Sequence, residues 1–359
     1  MDLKSFCLDQ LARYPALHTQ DLVKALYQRE FGCGHMITDP QRGMAWLEEE
    51  LTACRAENHP MQQTLIEPLG PFCRVHLRAL DAQGLSAQTL FGLFMLSAET
   101  PAGSMDAFRA QLEELEALID SGVLPLDASD AHAFLSSYLA AGCPATHHSP
   151  AFSAAYRPAY RVIKAEYARL IPVFAAIDQQ LHALTEEKPR AIVAIEGGSA
   201  TGKTTLAALL ERVYDCNIFH MDDFFLQPHQ RTPERFAQPG GNVDHERFLA
   251  EVLEPLAKGE PFDYRPFSCS TMALADPVHA APARLNIVEG AYSMHPALSA
   301  FYDLSVFLTI DPQHQSARIL RRNGPAMQQR FLNEWIPLEQ RYFAAYDIPT
   351  RCDLLLHAE

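Results

Sequence analysis

The stretch AIVAIEGGSATGKTTL, residues 191–206, restricts the fold of this chain more than any other feature of the sequence. Its first half is a short apolar run, which is typical of a buried parallel strand. Gly197, four further residues, Gly202, Lys203 and Thr204 follow, and leucines at helical spacing come after them. The order strand, glycine-rich turn and helix predicts an α/β unit that binds the phosphates of a nucleotide at the start of the helix.

Each part of this turn has its own predicted task. The glycines allow backbone N–H groups to surround phosphate oxygens. Lys203 would reach the β- and γ-phosphates, and the Thr204 hydroxyl would bind Mg²⁺, so ATP and Mg²⁺ are the predicted cofactors. The residues predicted to bind the nucleotide are Gly197, Gly198, Ser199, Ala200, Thr201, Gly202, Lys203, Thr204 and Thr205.

After this turn, apolar runs alternate with longer polar or helical segments, which favours a parallel sheet covered by helices. The runs are CNIFHMDD, LNIVEGAY, LSVFLTID and CDLLLHA. The polar segment TEEKPR precedes the first strand and places a domain boundary near Lys188. The predicted architecture is an α/β P-loop domain over residues 189–359, with a parallel sheet flanked by helices, preceded by a mainly α-helical domain over residues 1–188.

The helical prediction for the first domain rests on four segments. DLVKALYQREFG has helical spacing and ends at Gly32, and SMDAFRAQLEELEALIDSG has a Ser104 cap and a Gly122 stop. TLFGLFMLSA is apolar on all sides, which predicts a buried helix. YRPAYRVIKAEYARLIPVFAAIDQQLHAL predicts one long helix with a kink at Pro172.

Composition excludes several classes of function. The formal net charge is −15, from 44 acidic and 29 basic residues, which disfavours nucleic acids and anionic membranes as partners. No apolar run has the length of a transmembrane helix, and the first residues do not have the pattern of a signal peptide. The eight cysteines are scattered without a Cys-x-x-Cys pair, so we expect a reduced cytoplasmic protein without a disulfide or zinc framework.

Two carboxylates, Asp222 and Asp223, come just after the second apolar run, in HMDDFFLQP. The carboxyl ends of parallel strands are where α/β sheets bind ligands. A carboxylate at that edge could orient an acceptor hydroxyl and take its proton during phosphoryl transfer. The alternative is that the two acids only cap a turn or a helix. The sequence has no Asn-Lys-x-Asp segment of the kind that binds guanine.

Four motifs in this order, GGSATGKTT, MDDFF, NVDHERF and IVEGAY, resemble the uridine kinase and nicotinamide riboside kinase group of P-loop kinases over about residues 189–359. The resemblance implies that Asp222 is the catalytic carboxylate, with Asp223 as the alternate. It implies that Asp244 binds ribose hydroxyls of the acceptor and that Glu289 lies near Mg²⁺ and the acceptor. The implied activity is ATP-dependent phosphorylation of a hydroxyl on a nucleoside or ribosyl compound.

The segment IDPQHQSARILRRNGP carries Arg318, Arg321 and Arg322 on neighbouring helix positions. A solvated basic face is one explanation. The family resemblance implies instead a lid whose arginines contact the transferred phosphate, a task that suits the planar guanidinium. Arg318 and Arg322 are therefore catalytic candidates, and which arginine dominates stays open.

The predicted acceptor site departs from the family in the segment FDYRPFSCST, residues 262–271. Tyr264 aligns with a tyrosine that helps to hold the base in pyrimidine nucleoside kinases, and Arg265 is a second substrate-binding candidate. Cys269 lies where the family has histidine, which leaves the base without one polar contact. The acceptor could therefore carry another base, or be another ribosylated or small hydroxyl compound.

The first domain has no recognisable motif, and its role stays open between a structural core, an anionic-ligand or regulatory pocket, a dimer support and a cover for the kinase site. A homo-oligomer is compatible with the sequence. The alternative function for the whole chain is a nucleotide-dependent regulatory module without turnover. The polar candidates in the first domain are Glu30, His35, Arg74, His76, Tyr156, Arg157, Tyr160 and Arg161.

Overall fold

The computed structural model describes residues 1–33, 39–56, 64–99 and 102–358. The chain forms two compact units, Met1–Ala175 and Ala176–Glu359. The division falls inside a helix, whereas the polar segment TEEKPR suggested a boundary near Lys188. None of the described helices is both long enough and apolar enough to cross a membrane.

The first unit combines helices with a small antiparallel sheet whose strand order is β1-β2-β3. Its strands are β1 (Ile66–Pro68), β2 (Phe72–His76) and β3 (Tyr160–Lys164). The helices are α1 (Leu3–Arg13), α2 (Thr19–Phe31), α3 (Pro40–Ala56), α4 (Leu80–Gln83), α5 (Ala87–Ala98), α6 (Met105–Asp120), α7 (Ala128–Ala140), α8 (Pro150–Tyr156) and α9 (Ala165–Ala168), and α10 (Ile171–His182) spans the division. A short 3₁₀ turn covers Leu77–Ala79.

Three predicted helices of this unit are present. Helix α2 ends with Gly32 at its C-cap, and the Ser104 hydroxyl caps α6 by accepting from the backbone N–H of Ala107. Helix α5 buries Leu90, Leu93 and their neighbours, as its apolar sequence predicts. The helical character of this region is confirmed, although the sequence pattern did not reveal its sheet.

The single long helix predicted over residues 156–184 is wrong. The segment forms β3, α9 and α10 instead. Val162 and Ile163 are buried, and β3 pairs along its full length with β2. Their β-branched side chains favour strand geometry, and the backbone hydrogen bonds to β2 outweigh the helical spacing of the surrounding residues.

The second unit is built on a five-stranded parallel sheet with the order β12-β11-β4-β10-β5. Its strands are β4 (Ala191–Gly197), β5 (Cys216–His220), β10 (Leu285–Glu289), β11 (Leu304–Thr309) and β12 (Leu354–His357). Two small antiparallel pairs are formed by β6 (Phe262–Tyr264) with β9 (Val278–Ala280), and by β7 (Phe267–Ser268) with β8 (Ala273–Leu274).

Helices and short turns complete this unit. The helices are α11 (Lys203–Val213), α12 (Pro233–Ala237), α13 (His245–Phe248), α14 (Glu254–Lys258), α15 (Pro312–Arg330), α16 (Ile336–Tyr346) and α17 (Ile348–Arg351). The 3₁₀ turns are Met221–Phe224, Pro228–Gln230 and Ser299–Phe301, and π-helical turns cover Leu249–Leu253 and Phe331–Trp335.

The five apolar runs predicted as strands all form the parallel sheet, so the predicted α/β fold, with a parallel sheet flanked by helices, is confirmed for this unit. All seven residues of the central strand β4 are buried. Glu289 is in register with Ile195 on one side and with His220 on the other. The carboxyl ends of β4, β10 and β5 therefore lie side by side, which brings the loops that follow them to one edge of the sheet.

Candidate functional site

The glycine-rich loop takes the backbone conformation that its sequence predicts. Gly197 has a φ of +148°, and a Cβ atom at this position would lie 2.3 Å from the Leu308 carbonyl oxygen on β11. Gly202 has a φ of +101° and directly precedes helix α11. The loop therefore needs glycine at both positions, because a side chain would be strained at either one and would collide with the sheet at Gly197.

Lys203 begins α11, and its side chain folds along the loop. Its Nζ donates to the Gly198 carbonyl oxygen at 3.0 Å, and the Thr201 hydroxyl donates to the same oxygen at 2.9 Å. The ammonium group thus lies against the loop whose N–H groups are suited to phosphate oxygens. This arrangement can hold the negative charge of a polyphosphate.

Thr204 and Glu289 meet where the loop faces the end of β10. The Thr204 hydroxyl donates to Glu289 Oε1 at 3.1 Å, and His220 Nδ1 lies 2.6 Å from the same oxygen. The Glu289 contact raises the pKa of His220, which favours a charged imidazole that donates this bond. A hydroxyl and a carboxylate side by side are hard oxygen donors of the kind that Mg²⁺ prefers, so these residues fit that ion.

Asp222 and Asp223 lie in the 3₁₀ turn directly after β5. The surrounding protein raises the pKa of the Asp222 carboxyl by burial, although the residue remains accessible to solvent. Lys203, His220 and Arg322 oppose this shift, and Glu289 adds to it. Burial also raises the pKa of Asp223. The structure therefore brings Asp222, Lys203 and Glu289 into one electrostatic neighbourhood.

Asp244 is buried, and both of its carboxylate oxygens already have protein partners. Oδ1 accepts from the backbone N–H of Arg247 and caps α13, and Oδ2 accepts from Gln230 Nε2 at 2.8 Å. The Arg247 guanidinium lies along the same carboxylate at 3.6 Å and donates to the Asp223 carbonyl oxygen. Any acceptor hydroxyl would share Asp244 with these groups, which the sequence did not reveal.

Tyr264 and Arg265 occupy different settings. Tyr264 is buried in an aromatic cluster with Phe219 and Phe224, and the neighbouring Asp223 adds to the effect of burial in raising the pKa of its hydroxyl. The Arg265 guanidinium donates to the carbonyl oxygens of Ala275 and Leu274. Tyr264 thus lies beside the acidic turn, whereas the Arg265 side chain holds its own hairpin together.

The three arginines of α15 differ in what they contact. Arg318 is half-buried, and its Nη1 donates to the Ala200 carbonyl oxygen of the glycine-rich loop at 3.4 Å. Arg322 is exposed and close enough to lower the pKa of Asp222. Arg321 is exposed. The helix kinks at Gly324, where φ is 78° and ψ is 172°, and Pro325 follows. Arg318 therefore contacts the glycine-rich loop, whereas Arg322 influences Asp222 only through its charge.

Two buried acids at this edge of the sheet, Glu196 and Glu339, were not predicted from the sequence. Glu196, at the end of β4, accepts from the backbone N–H groups of Gly197, Tyr292 and Met294 and from the Tyr342 hydroxyl. Glu339 on α16 accepts from the backbone N–H and the hydroxyl of Ser199. No short motif marks either acid, because most partners of Glu196 lie on the loop after β10 and on α16, and the partner of Glu339 is Ser199, 140 positions away.

The first unit contains a buried polar network around Glu67. The carboxylate accepts from Gln10, Tyr14 and Arg74, and His76 Nε2 lies 3.1 Å from it. Burial alone would raise the pKa of Glu67, but Arg74 and the hydrogen bonds together hold it below its usual range. Since these buried groups satisfy one another, the network has the character of a polar core.

Of the other polar candidates of the first unit, Tyr160 lies against the Glu67 network and the rest are dispersed. Glu30 accepts from the backbone N–H of Ser104, Arg161 pairs with Glu50, and the Arg157 carbonyl accepts from Arg78. The Tyr156 hydroxyl accepts from the backbone N–H of Ala16, between α1 and α2. The Tyr160 ring packs under the Arg74 guanidinium. His35 lies outside the described residues. Among the described residues, no group of three or more His, Cys, Asp or Glu side chains is placed to bind a metal.

Comparison with solved structures gives many matches, and three of them illustrate the low similarity. A possible uridine kinase from Bacillus stearothermophilus matches with a TM-score of 0.41 and 20% identity, covering 53% of this chain and 98% of that one. A protein described as a fructose transport system kinase from Silicibacter sp. TM1040 gives 0.42 and 23%, with 50% and 97% covered. Shikimate kinase from Bacteroides thetaiotaomicron gives 0.24 and 14%, with 47% and 86% covered.

No protein-family model matches this sequence, and a search of curated proteins finds no match. At these TM-scores the structural matches carry no information about the substrate.

Proposed function

We propose that the chain is an ATP-dependent kinase that transfers the γ-phosphoryl group to a hydroxyl of a small molecule, of the nucleoside or ribosyl type. One observation carries the proposal. Lys203 at the glycine-rich loop and Asp222 after the neighbouring strand lie within electrostatic range of each other at one edge of the sheet. A cation for the donor phosphates and a carboxylate for the acceptor hydroxyl are the two groups that this reaction needs.

In the proposed mechanism the loop holds the donor. Backbone N–H groups of residues 197–204 and the Lys203 ammonium bind the phosphate oxygens, and Arg318 and Arg322 add positive charge beside the transferred group. Thr204 and Glu289 would hold Mg²⁺, which neutralises phosphate charge when it is bound. The protein thus contributes chiefly positioning and electrostatic stabilisation.

Asp222 is the proposed general base. It accepts the proton of the acceptor hydroxyl while the oxygen forms its bond to the γ-phosphorus and the bond to the β,γ-bridging oxygen breaks. The raised pKa of Asp222 makes its carboxylate a stronger base, which suits a group that must accept a proton. Asp223 is the alternate base, on the next residue of the same turn.

The acceptor site is proposed on the side of Asp223, Asp244 and Tyr264. Asp244 supports a hydroxyl-rich acceptor because a carboxylate held by Gln230 and by a helix N-terminus is already oriented. The Tyr264 ring, which lies near Asp223, supports an acceptor that carries a flat ring. Arg265 is the weakest member of this set, since its guanidinium is engaged by the backbone of its hairpin.

A screen for the acceptor tests this proposal. ADP release from MgATP would be measured with nucleosides, vitamin ribosides and small alcohols, together with the thermal shift that each compound causes. We expect release that depends on one compound class carrying a free hydroxyl. Tight ATP binding without release for any compound would favour the regulatory module instead.

We also propose that all of this chemistry belongs to the second unit, which leaves residues 1–175 available for another task. The loop, the acids and the arginines lie after Ala176. Because Tyr214 donates to Asp178 on α10, a fragment should begin at Ile171 and keep that helix whole. Calorimetry should detect ATP binding by residues 171–359. Binding by residues 1–170 instead would contradict this division of labour.

A further inference from the structure

Glu339 places a carboxylate directly on the glycine-rich loop. Its Oε2 accepts from the Ser199 backbone N–H at 2.9 Å, and its Oε1 accepts from the Ser199 hydroxyl at 2.6 Å. The residue belongs to α16, 140 positions further along the chain, and is 4% exposed. A loop built to bind anions therefore holds an anionic side chain of the protein itself.

Two neighbouring features keep this carboxylate in place. A Cβ atom at Gly198 would lie 3.2 Å from Glu339 Oε2 and 3.3 Å from Gln315 Nε2, so glycine leaves room for both side chains. Gln315 donates to the Ser199 carbonyl oxygen at 2.7 Å. The backbone and the hydroxyl of Ser199 are thus held from two helices, α15 and α16.

The charge of Glu339 interacts with the charges of Lys203 and Asp222. Burial raises the pKa of its carboxyl and Asp222 adds to that rise, whereas the hydrogen bonds from Ser199 and the charge of Lys203 lower it. The carboxylate is thus within electrostatic range of the cation that holds the donor phosphates and of the proposed base. A bound polyphosphate would bring several more negative charges into the same low-dielectric region.

We propose that Glu339 is an internal anion of the phosphate loop, which opposes the donor polyphosphate and so sets how tightly, and how selectively, nucleotides bind. The proposal rests on the proposed kinase function. The repulsion grows with the charge on the nucleotide, so it acts on a triphosphate more than on a diphosphate. Weaker binding of the nucleotide stabilises the ground state less. The rate of phosphoryl transfer gains only from interactions that are stronger in the transition state than in the ground state.

The substitution Glu339→Gln separates charge from contact. A hydroxyl both donates and accepts, so the glutamine oxygen can accept from the Ser199 N–H while its amide donates to the Ser199 oxygen. Both contacts survive and only the negative charge is lost. If Glu339 served only as a strut for the loop, this variant would bind nucleotides as the wild type does.

The test is isothermal titration of MgATP and MgADP at pH 8 into the full chain. We expect Glu339→Gln to bind MgATP about tenfold more tightly than the wild type, with a smaller gain for MgADP. The control is Glu334→Gln, which removes the same charge from an exposed ion pair with Arg330 and should leave both affinities unchanged. Unchanged or weaker MgATP binding by Glu339→Gln would overturn the proposal.

A second variant keeps the test decisive if the glutamine chain does not fold. Glu339→Ala also removes the charge, so tighter MgATP binding again supports an internal anion, whereas weaker binding supports a strut and overturns it. If the wild type itself binds no MgATP, the proposed function fails and this inference fails with it. Binding by the wild type without a gain in either folded variant defeats the inference alone.

Discussion

The Thr204 hydroxyl donates to Glu289 Oε1 at 3.1 Å, although 85 positions separate the two residues in the chain. The parallel register of β4 and β10 creates this contact, because Glu289 ends β10 beside the strand that leads into the loop. His220, at the end of β5, is hydrogen-bonded to the same oxygen. The residues proposed to hold the metal are therefore fixed by the sheet itself.

From this contact we predict that Glu289→Gln raises the Mg²⁺ concentration needed for half-maximal activity by about tenfold, since a neutral amide binds the ion less well than a carboxylate. A magnesium titration of ADP release would measure it. Glu211→Gln, on the exposed face of α11, is the control for the lost charge. An unchanged requirement would remove Glu289 from the metal site.

For the two adjacent acids, Asp222→Asn should keep ATP binding but reduce turnover by roughly 10²-fold or more, the scale of general-base effects. Asp223→Asn should lose much less. Steady-state kinetics with calorimetric ATP binding would compare them. If Asp223→Asn is the inactive variant, the two residues exchange roles.

The pH profile gives a separate test of the base. A base must be deprotonated to work, and the pKa of Asp222 is raised. Activity should therefore fall as the pH falls, and the fall should begin above the ordinary titration range of aspartate, which lies near about 4. The acid limb of kcat/KM against pH is the measurement. A limb in the ordinary range would contradict the assigned environment.

At the acceptor side, Asp244→Asn should raise the acceptor KM by about tenfold with kcat within a few-fold of wild type, because it weakens a positioning contact. Asparagine caps a helix as well as aspartate does, so the fold should be preserved. Kinetics and the melting temperature would be measured together. A loss of kcat at unchanged KM would place Asp244 in the chemical step.

Glu196 predicts a pH dependence of stability. Burial raises its pKa to about 7, while the hydrogen bonds from Met294 and Gly197 oppose that rise. The folded chain then holds this proton more tightly than the unfolded chain, so Glu196 makes the fold less stable as the pH rises from about 4.5 to 7. The melting temperature should fall more between pH 5 and pH 8 for the wild type than for Glu196→Gln. Equal slopes would contradict the assignment.

The parts of this structure that the sequence predicts are those with local signals. The five parallel strands are short apolar runs, and the glycines of the loop are required by its backbone, so both follow from the pattern. The strand β2 was missed because all five of its residues are buried, including Arg74 and His76, so the alternation that marks a strand is absent.

The site was predictable only in part for a related reason. Lys203 and Asp222 follow strand ends and Glu289 is the last residue of β10, and parallel topology brings strand ends together. Glu196 and Glu339 could not be found in this way, because their roles depend on α16 packing against the loop. The same holds for Gln230, whose contact with Asp244 depends on the path of the chain through α12 between them.

The most direct measurement of the central claim is transfer of γ-labelled phosphate from ATP to an acceptor by the wild type and by Lys203→Ala. The account predicts a labelled, phosphorylated acceptor with the wild type. It predicts none with Lys203→Ala, whose circular dichroism and melting temperature should match the wild type, because only the charge at the phosphates is lost. Equal transfer by both folded proteins would contradict the assignment of the loop as the donor site.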